Sequence, residues 1–312
     1  MNNGLNGISD IASSEGNLLD FSKIVWIIGH EKLVSKHKIL LRFQEITGST
    51  SKGSFERKLS IVEKLNLVEF FAEKYLLNSW GKILCKILED HNKMDDKLRS
   101  FYFVLLFSSI ARNQLSQLLK VIDKQHGKEK KQLILDYFTT EVAKKIWNKK
   151  ILEKNIREMK EYNILPSMFN NKFSCMIKWL DILGLIEVKL GGYYPQLKHE
   201  TIKSLNKIKR VENIFEDAAV IRFKEFRFFD KKQDYGKLVK LVKYTHNLFC
   251  TSESRLSDIQ AVSGFICLEF LNQGIVIEQQ LFFTITSKLK ENGIIRSIMA
   301  GRDGTPKNMR LA

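Results

Sequence analysis

The stretch whose reading decides the fold is FERKLSIVEKLNLVEFFAEKYLLNSWGKILCKIL, residues 55–88. It opens with apolar residues at helical spacing, Phe55, Leu59, Val62 and Leu65, and then changes period. Asn66 breaks the helix, Leu67 and Val68 begin a β-prone piece, and the chain turns back before Leu77. FSCMIKWLDILGLIEVKLGGYYPQL at 173–197 and FFTITSKLKENGIIRSIMAGRDGTPKNMRLA at 282–312 read alike. In each, a helix ends on leucine, a polar or small residue follows, and an apolar pair comes next. The three versions are Leu65-Asn66-Leu67-Val68, Leu183-Gly184-Leu185-Ile186 and Leu289 to Gly293-Ile294-Ile295. Asn or Gly at the break is what a left-handed helix C-cap needs, and the apolar pair starts a strand that packs under the helix. The pattern predicts a mainly α protein with three small hairpins and no large sheet.

Working outward, the chain has 312 residues, of which 44% are hydrophobic and 28% charged, a globular composition long enough to bury more than one core. Only 3 prolines, at 166, 195 and 306, interrupt helical periodicity. Amphipathic stretches are read at 22–28, 39–46, 55–65, 82–88, 98–110 and 114–122. The longest uncharged apolar run, Phe101 to Ile110, falls far below the roughly 20 residues of a membrane-spanning helix. MNNGLNGISDIASSEGN at the N-terminus lacks the basic start and apolar core of a secretion signal. A cytoplasmic protein without a membrane partner is expected.

Lys plus Arg number 51 against 35 Asp plus Glu, giving a formal charge of +16 and a pI near 9.5. Such a charge matches an anionic partner, yet a lysine-rich solvated surface gives the same number. The four cysteines, at 85, 175, 250 and 267, form no C-x-x-C pair, and the six histidines are scattered. Neither a disulfide framework nor a metal site is expected.

The repeated helix, break and hairpin, preceded in the first copy by the glycine-containing turn Gly48-Ser49-Thr50-Ser51-Lys52-Gly53, resembles the winged-helix family. That resemblance implies three-helix cores whose third helix enters the major groove and whose hairpin wing touches phosphates. It implies tandem winged-helix modules joined by helical connectors. The expected organisation is a flexible tail at 1–19, module 1 at 20–90, a helical connector at 91–110, module 2 at 111–204, a second connector at 205–236 and module 3 at 237–312. Module 2 departs from the pattern, because the link between its second and third helices is long. Such arrays are similar to the DNA-recognition region of type IIS restriction endonucleases of the FokI kind and to plasmid replication initiators. The implied protein is a sequence-specific binder of double-stranded DNA: the recognition part of a restriction or defence system, working beside a nuclease or other protein subunit, or a transcription regulator. A replication initiator and a protein-binding scaffold are the alternatives.

Candidate contacts lie at the front of each third helix and on the wings, where side chains reach base edges and phosphates. In module 1 they are Arg57, Lys58 and Ser60; in module 2, Asn170, Asn171, Lys172 and Lys178. In module 3 they are Gln279, Gln280 and Thr284 on the helix, with Arg296, Arg302, Lys307 and Arg310 on the wing. Lysines at 128, 130, 131, 144, 145, 149 and 150 offer bulk phosphate attraction, and the alternation of cations and aromatics over 222–229 reads as a short strand or helix end packing its phenylalanines. No convergent catalytic set is found. Glu187-Val188-Lys189 has the E-x-K form of a nuclease, but its spacing from Asp181 fits a wing after a helix better. No phosphate loop and no nucleophile elbow occur, so the chain is read as a non-enzyme without a cofactor.

Overall fold

The structure, a computed structural model, describes residues 17–31, 34–88, 93–109, 111–125, 127–205, 214–251, 255–277, 279–301 and 306–312. Among these the chain is mainly helical, with fifteen helices and nine short strands in four small sheets. It begins with α1 (Leu18–Glu31), α2 (Lys36–Thr47) and α3 (Lys52–Lys64). The hairpin β1 (Val68–Phe71) and β2 (Lys74–Leu77) comes next, then α4 (Ser79–Ile87) and α5 (Asp96–Ser108). A second stretch runs α6 (Arg112–Lys124), α7 (Lys130–Phe138), α8 (Glu141–Ile146), α9 (Lys149–Glu161) and α10 (Ser167–Ile182). Its hairpin is β3 (Ile186–Lys189) and β4 (Gly192–Pro195), followed by α11 (His199–Leu205). After α12 (Ile214–Arg222) and β5 (Arg227–Phe228) come α13 (Lys231–Phe249), β6 (Ser257–Asp258), α14 (Ile259–Leu271), β7 (Ile275–Val276) and α15 (Gln279–Glu291). The last hairpin is β8 (Ile295–Ala300) and β9 (Pro306–Leu311).

One connection recurs three times. In each stretch the link ahead of the second helix pairs antiparallel with the second strand of the hairpin that comes later: Val34 with Tyr75, Glu129 with Gly192, and Ser257 with Met309. In the third stretch the contact lengthens into a three-stranded sheet of order β6-β9-β8. The breaks that end α3, α10 and α15 take up positive φ, 57° at Asn66, 71° at Gly184 and 69° at Gly293. After α10, the Leu185 N–H donates to the Leu180 carbonyl at 2.8 Å and the Gly184 N–H to Asp181 at 2.8 Å. Ile294 and Gly293 repeat this onto Leu289 and Lys290 at 2.9 and 3.0 Å. These crossed bonds satisfy the last helical carbonyls and turn the chain into the strand, which is why a residue tolerant of left-handed backbone sits there.

The chain divides into two compact units, one comprising Met1–Ile24, Leu40–Leu65 and Leu105–Lys209, the other Val25–Ile39, Asn66–Val104 and Arg210–Ala312. In the first unit Phe138 and Phe169 stack with ring centroids 3.7 Å apart, and Trp147 meets both edge-on. Between Lys130 and Glu161 the chain forms three helices in succession, α7, α8 and α9. Thr140 caps α8 by accepting from the Ala143 N–H, and Asn148 caps α9 by accepting from Lys150 and Ile151. Each cap gives the backbone an alternative to helix continuation, so the long link ahead of α10 is itself folded into helices.

In the second unit α4 starts on Asn78, whose side chain accepts from the Gly81 N–H and donates to Asn66 Oδ1 at 2.8 Å. A Cβ on Gly81 would stand 1.9 Å from the Leu67 carbonyl oxygen, so only glycine permits this approach. Arg227 of β5 donates twice to Asp234 on α13, at 2.6 and 2.7 Å, and β5 pairs in parallel with β7. The aromatic-cationic run at 222–229 therefore holds a two-residue strand. Residues 1–16 and 206–213 of the expected tail and connector lie outside the described residues, and α1 already begins at Leu18. No helix is long and apolar enough to cross a membrane among the described residues.

Candidate nucleic-acid interface

Helix α3 is built on the buried residues Phe55, Leu59, Ile61 and Val62, and Ser51 caps it by accepting from the Ser54 N–H. One turn apart on its opposite side lie exposed Arg57 and half-buried Ser60. Lys58 belongs to the inner side instead. It is 7% exposed, its Nζ stands 2.9 Å from Asp20 Oδ2, and it lies 5.3 Å above the Phe43 ring. Its position three residues after Phe55 and four before Val62 puts it in the apolar stripe, so it is a structural cation and no surface contact.

Helix α10 carries the fullest polar stripe. Ser167, Asn170, Asn171, Ser174 and Lys178 follow at three- and four-residue intervals and share one side, while Phe169, Phe173, Met176, Trp179 and Leu180 are buried on the other. Asn171 and Lys178 are exposed, and Asn170 is half-buried. Lys172 stands apart, its ammonium 4.7 Å over the Trp147 ring. From α7, the Lys130 ammonium donates to Ser174 Oγ at 2.8 Å. Partial burial and the nearby charge of Lys178 hold Lys130 below the ordinary lysine range. Two cations therefore converge on this stripe, and an anion between them would relieve their mutual repulsion. Sequence reading placed Lys130 only in a diffuse basic run; its link to Ser174 depends on the Glu129–Gly192 pairing, which leaves no periodic signal.

The hairpin that follows turns at Leu190 and Gly191, with φ of 49° and 77°. Leu190 is fully exposed at 107%, and Val188 beside it is 45% exposed. Within this hairpin Lys189 pairs with Glu187 at 2.8 Å, and the Gln196 amide donates to Glu187 at 3.1 Å. The E-x-K pair is thus engaged within its own hairpin.

On α15, Thr284, Ser287 and Lys288 are exposed opposite buried Phe282, Ile285 and Leu289. Gln279 and Gln280 open this helix; their side chains lie outside the described residues, as does Arg302. Arg296 and Lys307 are exposed on β8 and β9, and Arg310 is half-buried. The first hairpin differs in chemistry. Its tip exposes Phe70 and Phe71, at 59% and 69%, beside Glu69 and Glu73.

Cys175 and Cys267 are buried free thiols, and burial pushes Cys267 well above the usual thiol range. Among the described residues no group of three His, Cys, Asp or Glu side chains is placed to hold a metal ion. No protein-family description, no curated protein and no solved structure matches this chain.

Proposed function

We propose that this protein binds double-stranded DNA sequence-specifically through three winged-helix modules, with third helices in major grooves and wings on the phosphate backbone. The observation that carries the reading is the threefold recurrence of a short strand contact from the link ahead of the second helix to the far strand of a later hairpin. A winged helix requires that contact, because the wing must be tied back to the helical core. The polar stripe of α10 adds chemical support: asparagine side chains match adenine edges, and Lys130 with Lys178 match phosphate. Arg57, Ser60, Asn170, Asn171, Lys178, Thr284, Arg296 and Lys307 are the contact residues of this reading, and it uses neither a cofactor nor catalysis. As the recognition part of a restriction or defence system, or as a regulator, such a chain acts by placing a partner at its site.

A second reading, a scaffold that holds a protein partner, is favoured by the first hairpin alone. Exposed Phe70 and Phe71 between Glu69 and Glu73 suit an apolar and basic protein surface better than a phosphate backbone. Fluorescence anisotropy with a mixed duplex over a salt series decides between the two. DNA binding predicts that log affinity falls linearly with log salt, by about 0.9 per phosphate neutralised. Absence of binding at low salt would end the DNA reading. Selection from a random duplex pool then gives the target, and a recovered motif establishes specificity.

A further inference from the structure

We infer that the cleft between α6 and the end of α7 binds a dicarboxylic α-amino acid, glutamate or aspartate. The inference stands apart from the DNA reading, and the cleft lies wholly within the first compact unit. Its cavity, about 260 Å³, falls just under the roughly 300 Å³ at which small-ligand pockets begin, a size suited to a compact metabolite. One wall is α6, which presents Lys120 and Lys124 one turn apart and Gln125 at its end. The other is the last turn of α7 and the residue after it, Asp136 and Thr139.

Three observations on this lining fix the chemistry of the occupant. Lys130, Lys131 and Lys189 are engaged by Ser174, Asn163 and Glu187, whereas Lys120 and Lys124 have no hydrogen bond or ion pair among the described residues. Opposite in character, Asp136 Oδ2 and Gln125 Oε1 are buried acceptors without a hydrogen-bond partner among the described residues, although Asp136 Oδ1 accepts from the Gln132 amide at 2.8 Å. Buried acceptors left unmade are costly, so these two call for a donor. Thr139 Oγ1 already donates to the Asp136 carbonyl at 3.0 Å, so it too offers a ligand only lone pairs. Two lysines against one carboxylate leave the cleft a net charge of +1. A dicarboxylic α-amino acid carries two carboxylates and one ammonium, and so balances that charge group by group. Each lysine takes a carboxylate, while the ammonium, with three donors, answers Asp136, Gln125 and Thr139. A plain dicarboxylate or a phosphate leaves the acceptors unanswered and sets a second anion against Asp136. A neutral amino acid leaves one lysine unpaired.

Isothermal titration calorimetry of the full chain with L-glutamate and L-aspartate tests the assignment, and at least one of them should bind saturably, one to one. For the one that binds, the analogue lacking the ammonium (glutarate or succinate) and the one lacking the second carboxylate (glutamine or asparagine) should each bind about tenfold more weakly, the loss of one charge-assisted hydrogen bond. Lys120→Ala and Lys124→Ala should each weaken the amino acid about tenfold and shrink its advantage over the amide. Asp136→Asn should erase its advantage over the plain dicarboxylate, a change of preference that damage to the fold does not produce. Circular dichroism checks each variant, and if Asp136→Asn fails to fold, the ligand series on the unaltered protein decides alone. No saturable heat with either amino acid up to about 10 mM overturns the assignment. So does equal binding of the plain dicarboxylate, tighter binding of inorganic phosphate or a nucleoside monophosphate, or unchanged affinity in both lysine variants.

Discussion

Lys58 and Asp20 form a buried ion pair at 2.9 Å, and Lys23 approaches the same carboxylate at 3.6 Å. Removing Lys58 would leave Asp20 poorly solvated with only the weaker partner. Breaking a buried pair costs about 3–5 kcal/mol, and the remaining contact to Lys23 puts Lys58→Ala near the low end. Arg57→Ala, one residue earlier on the exposed side, should change stability by less than about 0.5 kcal/mol. Urea denaturation of the two variants checks this. Equal midpoints would mean that Lys58 does not face the interior.

Gly81 and Gly264 make a second contrast, within one unit. A methyl group on Gly81 meets a backbone carbonyl at 1.9 Å, whereas on Gly264 it meets the flexible end of Ile83 at 2.7 Å. Backbone cannot move aside without breaking the Asn78 cap of α4. Gly81→Ala should therefore cost about 3 kcal/mol, the upper end for overpacking, and Gly264→Ala about 1 kcal/mol. Thermal unfolding should rank them in that order, and the reverse order would place the close approach elsewhere.

The Arg227–Asp234 pair gives stability a sign in pH. The two hydrogen bonds from Arg227, aided by the Asp230 N–H, hold the Asp234 carboxyl below the usual carboxylate range. A carboxyl depressed in the folded state stabilises the fold above its unfolded pKa of about 3.9, and the contribution is lost as pH falls through the lower folded value. Asp234→Asn should lower the unfolding temperature at pH 7. The gap to the unaltered protein should close below about pH 4. A gap that persists at lower pH would show that the lost contact is not the ionised pair.

Much of this architecture can be read from the chain. The change from a 3.6-residue period to alternation at Asn66, Gly184 and Gly293 marks where each helix passes into a hairpin, because left-handed backbone at a break is a local, composition-driven event. The short strand contacts at Val34, Glu129 and Ser257 are not legible, since one or two residues cannot carry a period and their partners lie 41 to 63 positions away along the chain. Lys58 shows a different failure. Its spacing from Phe55 and Val62 puts it in the buried stripe, but a lone lysine reads as a surface cation, and only the carboxylate of Asp20, 38 positions earlier, lets it be buried. The helix starts after Thr140 and Asn148 have no periodic mark in this lysine-rich stretch, because they are set by single side chains that accept backbone N–H groups.

On α10 the polar stripe separates two kinds of contact that binding data can distinguish. Asn171 is exposed and carries no charge, so a bond from it to a base edge affects only sequences that present that edge. Lys178 is exposed one turn beyond Ser174 and shares its surroundings with Lys130, and under the DNA reading a cation there serves any phosphate. Lys178→Ala should weaken binding to all duplexes alike and reduce the slope of log affinity against log salt by about 1. Asn171→Ala should leave that slope unchanged, cost about 1–3 kcal/mol on the selected sequence and relax preference at one base pair. Lys130→Ala removes the second cation and frees Ser174, so its slope should fall as for Lys178→Ala. Because the two cations lie on one site, the double variant should lose less than the sum of the single losses. Anisotropy titrations on selected and scrambled duplexes measure all of these, and a slope untouched by both lysine substitutions would remove α10 from the interface.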